Sequence, residues 1–331
     1  MSIAAVAPRQ RTLALRDEAV YMLCGVWMIT GLYIDGWAHQ ANKPETFFTP
    51  WHLVLYSGFG AAVIYSGLVA LRESRTGVLP TIGADRLTNV GIGMFVTGGV
   101  GDFVWHELFG IEVDLEALIS PTHLLLMTGG LLMVTLPFRS TTDIEDRQAL
   151  VVRSGSAFLA LAIVVFFLMY LVPFGEAEAF LSPYLPAVDG SDTEVALGMA
   201  MVVASTALFV GAALALLARE RKVLPGTMTV GFSVVAFAHA GLTGWDSALT
   251  VLGATAAGAV ADALVARGAS LRTIGVTTGV VLWSGIFAAL HAQHGVEWSP
   301  SLWVGAIVFA GMAGSGAAEL VSSRRALPAS G

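Results

Sequence analysis

Apolar stretches recur along the chain at ten places, 18–38, 51–72, 87–107, 121–138, 151–173, 193–218, 226–243, 247–266, 272–292 and 300–322, each bounded by polar or charged residues. About 20 consecutive apolar residues are what an α-helix needs to cross a bilayer. The regular polar and apolar alternation of a membrane β-barrel is missing. The pattern therefore predicts an all-α, polytopic membrane helical bundle of about ten transmembrane helices, with residues 1–331 forming a single integral membrane domain.

The charges between the apolar stretches orient them. Arg9, Arg11 and Arg16 precede the first stretch, and basic residues recur after the second, fourth, sixth, eighth and tenth. Of the 17 Lys and Arg residues, Lys43 alone falls in the other set of loops. By the positive-inside rule both termini lie on the cytoplasmic side of a cytoplasmic membrane. No cleaved leader is expected, because the polar, basic start lacks a small-residue cleavage site.

The polar residues also repeat. DGWAHQANKPETFFTPWHLVLYSG, from Asp35 to Gly58, is echoed by DFVWHELFGIEVDLEALISPTHLLLMTG, from Asp102 to Gly129. Both read Asp-x3-His-x5-Glu, a gap, then Pro-x-His-x5-Gly, the second gap being four residues longer. The matched residues are Asp35/Asp102, His39/His106, Glu45/Glu112, Pro50/Pro121, His52/His123 and Gly58/Gly129. Residues 18–138 thus read as two in-register helical hairpins. Residues 151–322 read as three degenerate versions, in which Tyr170 takes the place of the first His and Ser182-Pro183 and Ser299-Pro300 open helices as Thr49-Pro50 and Ser120-Pro121 do.

Composition narrows the function. The chain is 56% hydrophobic and 12% charged, with a mean hydropathy of +0.75, against roughly 25% charged residues in a soluble domain. A single cysteine, Cys24, removes disulfide frameworks and cysteine metal sites. No soluble basic face suggests nucleic acid as a partner.

What remains is the histidines and carboxylates. All seven histidines fall at or near the outer ends of apolar stretches, where ionisable groups are costly and mark function. Asp35 and His39 are one helical turn apart, as are Asp102 and His106, and each shares a face. With His52 and His123 they make two N2O sets: Asp35, His39, His52 and Asp102, His106, His123. Such a set suits Cu(II), Zn(II) or non-haem Fe(II). A lone histidine there would be read as a hydrogen bond across helix ends, but two copies in register point to metal. Glu45, Glu112, His239, His291, His294 and Glu297 are candidates for an outer shell or a proton path.

Asp35-x3-His39-x12-His52 resembles the copper motif of the C subunit of the particulate methane and ammonia monooxygenases. The likeness covers about eighteen residues. Asp102 and His106 match its first part, and His123 comes four residues late. The resemblance implies copper at Asp35, His39 and His52, molecular oxygen as oxidant, and hydroxylation of a small apolar substrate reached through the lipid, with an electron donor or partner subunits. Ten stretches in repeated hairpins are not that subunit's architecture.

The expected function is a membrane metalloenzyme, most concretely a copper-dependent oxidoreductase, with iron or zinc as the other metals. A metal-ion transporter or permease is an alternative, although transporters commonly place their site at the midplane on broken helices. A zinc-dependent hydrolase is a further one. The longer gap in the second copy predicts unequal sites, with the first the tighter.

Overall fold

A computed structural model describes residues 13–43, 48–75, 85–110, 114–140, 146–175, 177–181, 191–220 and 222–326. Among these residues every regular element is helical. Ten helices carry the fold: α1 (Leu15–Gln40), α2 (Pro50–Ser74), α3 (Arg86–Phe109), α4 (Pro121–Val134), α5 (Arg147–Phe167), α6 (Ser191–Arg219), α7 (Thr227–Leu242), α8 (Thr250–Ala266), α9 (Leu271–Gln293) and α10 (Pro300–Ala326). Each falls on one of the ten apolar stretches. Seven of them, α1, α2, α3, α5, α6, α9 and α10, are long and apolar enough to cross a membrane, while α4, α7 and α8 are shorter. The chain is thus a membrane-type helical bundle.

The local reasons are ordinary ones. Ser120 caps α4 by accepting the His123 backbone N–H, with Pro121 at the first helical position. Asp85 caps α3 through the Thr88 backbone N–H, and Ser270 caps α9 through Thr273. Asp262, on α8, reaches sideways to accept from the backbone N–H groups of Met228 and Thr229 and so caps the neighbouring α7. The stretch 151–173, expected as one span, ends as a helix at Phe167 and continues into the short 3-10 turn Met169–Leu171. Pro173 lies just beyond, where a helix cannot continue.

α1 packs on α2 and α3 on α4, each through close backbone approach at small residues. A Cβ on Gly58 would lie 2.6 Å from the Met28 nitrogen, and one on Gly129 would lie 2.7 Å from the Phe95 nitrogen. A Cβ on Gly31 would strike the Leu55 backbone nitrogen, and one on Gly98 would lie 3.0 Å from the Leu126 nitrogen. Gly31/Gly98, Leu55/Leu126 and Met28/Phe95 stand at equal offsets from the matched Asp and His residues. The two hairpins therefore share one register of helix contact. Small residues that let helices touch are the usual means of association where lipid removes a hydrophobic drive.

Aromatic side chains join the hairpins. Phe59 on α2 stacks on Phe95 of α3 at 4.4 Å between ring centroids, and Tyr56 meets the same ring at 6.2 Å. α5 packs against α1, α4, α6 and α7 and stands between the hairpins and the remaining helices. At the end of the bundle away from the histidine motifs, ion pairs tie the helices: Arg72 to Asp17 at 2.5 Å, Arg139 to Asp85 at 2.9 Å, and Arg153 to Glu220 at 3.4 Å.

Candidate metal centre

The shared register places each aspartate beside two histidines. In the first hairpin, Asp35 Oδ2 lies 3.7 Å from His39 Nε2 and Asp35 Oδ1 lies 3.3 Å from His52 Nε2. In the second, Asp102 Oδ2 lies 3.5 Å from His106 Nε2 and Asp102 Oδ1 lies 3.3 Å from His123 Nε2. The two imidazoles of each group stand 6.2 Å apart between centroids, at interplanar angles of 63° and 60°. The ligand atoms within each group all lie within 4.8 Å of one another, close enough to hold a metal ion.

The hydroxyls that cap α2 and α4 also orient the rings. Thr49 Oγ1 stands 3.1 Å from His52 Nδ1, and Ser120 Oγ stands 2.8 Å from His123 Nδ1. With Nδ1 engaged, Nε2 faces the carboxylate, as in metal-ligating histidines held by a second partner. His106 is more telling. Its Nδ1 stands 3.3 Å from the Gly110 carbonyl, and a carbonyl only accepts, so Nδ1 carries the proton. Were His106 neutral, its Nε2 lone pair would face the Asp102 carboxylate at 3.5 Å. Only a proton or a metal cation between them satisfies that pair.

The aspartates are buried, Asp35 at 9% and Asp102 at 2% exposure, and the four histidines are half-buried. Asp102 has a further partner, for Thr122 donates to its Oδ1 at 3.2 Å. The matched position in the first hairpin is Trp51, which brings no such bond. Both groups line one cavity of about 500 Å³. Its deeper wall is apolar, formed by Met28, Leu55, Phe95, Leu126, Ile163 and Phe166. His39 lies within electrostatic range of His106, His123 and Asp102.

The other candidates from the sequence stand elsewhere. Glu45 and Glu112 lie outside the described residues. His239 is buried in α7 with its ring 6.1 Å from Phe174, and it does not line the cavity. His294 meets the Asp246 carbonyl at 2.8 Å, and His291 and Glu297 are exposed. None of these four joins either ligand group.

Several cavity residues carried no ionisable signal in the sequence. Tyr56, four residues after His52, lines the cavity, and its ring centroid lies 6.3 Å from that of His52. Met127 holds the matched place after His123 and lines it too. Repeat alignment could have found both. Ile163, Phe166 and Phe167 come from α5 and sit in no motif. Lys43, which the charge pattern had set apart, lies at the mouth with its Nζ 5.6 Å from the centre of the Trp37 ring.

Fold and site together define a helical membrane-type protein with two Asp/His/His groups able to hold metal. No protein-family model, curated protein or solved structure matches the chain, so the likeness to the monooxygenase C subunit rests on the motif alone.

Proposed function

We propose that the chain is a membrane-embedded metalloenzyme that holds copper at Asp35/His39/His52 and Asp102/His106/His123 and oxidises an apolar substrate with molecular oxygen. The observation that carries the reading is that both three-ligand groups face one cavity with an apolar deeper wall. Three ligands leave a metal coordinatively open, as a reactive site requires and a structural zinc site does not.

Copper is favoured by the spacing of the first motif and by the cavity wall. Met127 and Met169 line the cavity as well. Thioethers favour Cu(I), while imidazole and carboxylate suit Cu(II). Bound copper would supply oxygen activation. The balanced reaction is RH + O2 + 2e⁻ + 2H⁺ → ROH + H2O. The two electrons would come from an external donor. The protein's own residues hold the ligand geometry, exclude bulk water below the metal groups, and present an apolar wall to the substrate.

All ten helices cross the membrane in this reading, with both termini cytoplasmic and the ligand groups extracytoplasmic. α4 continues past Thr135 into the helical turn Leu136–Arg139. Residues 121–139 together span roughly 28 Å at 1.5 Å per residue, enough for the hydrocarbon core. The five outward hairpins are copies of one unit, and the shared contact register of the first two supports this.

The test is metal analysis of protein purified without added metal, followed by turnover of an n-alkane with a reduced quinol under ¹⁸O2. The reading expects bound copper and one labelled oxygen in the product. Bound zinc with ester hydrolysis would replace it with a hydrolase. Metal flux into proteoliposomes without oxidation would replace it with a permease.

A further inference from the structure

The geometry points to an unbranched hydrocarbon chain as the occupant of the cavity, with Gly130 setting how far the chain descends. As a statement about substrate, this rests on the reading of the cavity as a reaction site.

The cavity runs deep along α1. Along α1 it is lined from Met28 to Gln40, twelve residue steps or roughly 18 Å at 1.5 Å per residue. A volume of about 500 Å³ with that depth suits an elongated apolar molecule such as an extended alkyl chain. The volume lies inside the range of roughly 300–1,000 Å³ for sites that take drug-sized ligands, far above what a gas-sized molecule fills. The polar groups gather toward one end. Gln40, Asn42 and Lys43 stand at the mouth, and the two ligand groups follow. From Asp35 down to Met28, a further roughly 10 Å, the wall is apolar.

The floor is where α1, α3, α4 and α5 converge. A Cβ on Gly130 would lie 3.6 Å from Ile163 Cδ1, 3.8 Å from Met28 Cε and 3.9 Å from a Phe95 ring carbon. These are ordinary contacts, so Gly130 leaves room at the bottom that a larger side chain would occupy. None of the four residues is a metal ligand. A chain resting on this floor presents a fixed carbon to the ligand groups, and its length decides which.

The experiment uses the full-length protein in phospholipid nanodiscs, where lipid acyl chains are already in excess as competitors. Hexyl and hexadecyl alcohols carrying a terminal diazirine are photolysed in the protein, and the labelled residues are mapped by mass spectrometry. The expected result is hexadecyl labelling of the floor at Met28, Phe95 and Ile163, suppressed by n-hexadecane. Gly130→Phe should abolish it, Gly130→Ala should retain it, and bound metal should be unchanged in both. Ile163→Trp closes the floor from a different helix and should repeat the loss if Gly130→Phe does not fold. Labelling spread over lipid-facing residues, or floor labelling that survives both large variants, overturns the inference. Floor labelling in a protein without metal leaves the chain site standing and removes the metalloenzyme reading. Bound copper without floor labelling does the reverse.

Discussion

The Ser120 hydroxyl stands 2.8 Å from His123 Nδ1 and 3.3 Å from the backbone nitrogen of the same residue. One oxygen thus starts the helix and sets the ring that the helix carries. Thr49 makes the same pair of contacts to His52 at 3.1 and 3.5 Å. A candidate metal ligand at the third position of a helix is in this way tied to the helix's own cap.

Ser120→Ala removes both contacts. Loss of the cap costs about 1 kcal/mol, and loss of the ring's partner lowers metal affinity by about 10–100-fold. Ser120→Thr keeps the hydroxyl and should restore most of both. Thermal unfolding and metal titration of the two variants check this.

The two groups differ in that Thr122 donates to Asp102, whereas the matched residue in the first hairpin is Trp51. The longer second loop argued for a tighter first site, whereas this hydrogen bond argues for a tighter second one. Thr122→Val should weaken the second group by about tenfold, the low end of the effect of losing an outer partner, and leave the first unchanged. Stepwise metal removal by a chelator, with the remaining ion assigned by single-hairpin variants, gives the order.

Gly129 keeps α3 and α4 in contact at the level where Phe95 lines the cavity. Gly129→Ala forces the backbones apart at a cost of about 1–3 kcal/mol, as overpacking does. It should lower metal occupancy in the second group more than in the first. Occupancy measured in Gly129→Ala combined with loss of either ligand pair separates the two.

Asp262 caps α7 from α8, away from the cavity. Asp262→Ala should lower stability by about 0.5–2 kcal/mol and leave metal content unchanged. A fall in bound metal would show that the far helices shape the site.

The ligand groups were legible because three ionisable types recur at fixed offsets, and helix geometry converts those offsets into one face. The helices themselves were legible from apolar length, with α4, α7 and α8 shorter than the stretches that predicted them. α5 ends at Phe167 and gives way to the turn Met169–Leu171, a local break that hydropathy does not register. The cavity was not legible. Its walls are Ile163, Phe166 and Met28, apolar residues that look like any other membrane core until the hairpins are set side by side. Thr122 was hidden for another reason, since its matched residue, Trp51, gives no hint that the position touches the aspartate.

The most direct test of the account is metal stoichiometry in three proteins: the wild type, His39→Ala/His52→Ala, and the variant that adds His106→Ala and His123→Ala. Two three-ligand groups predict two ions per chain, then one, then none, with secondary structure retained throughout. Equal metal content in all three, or none in the wild type, would contradict it.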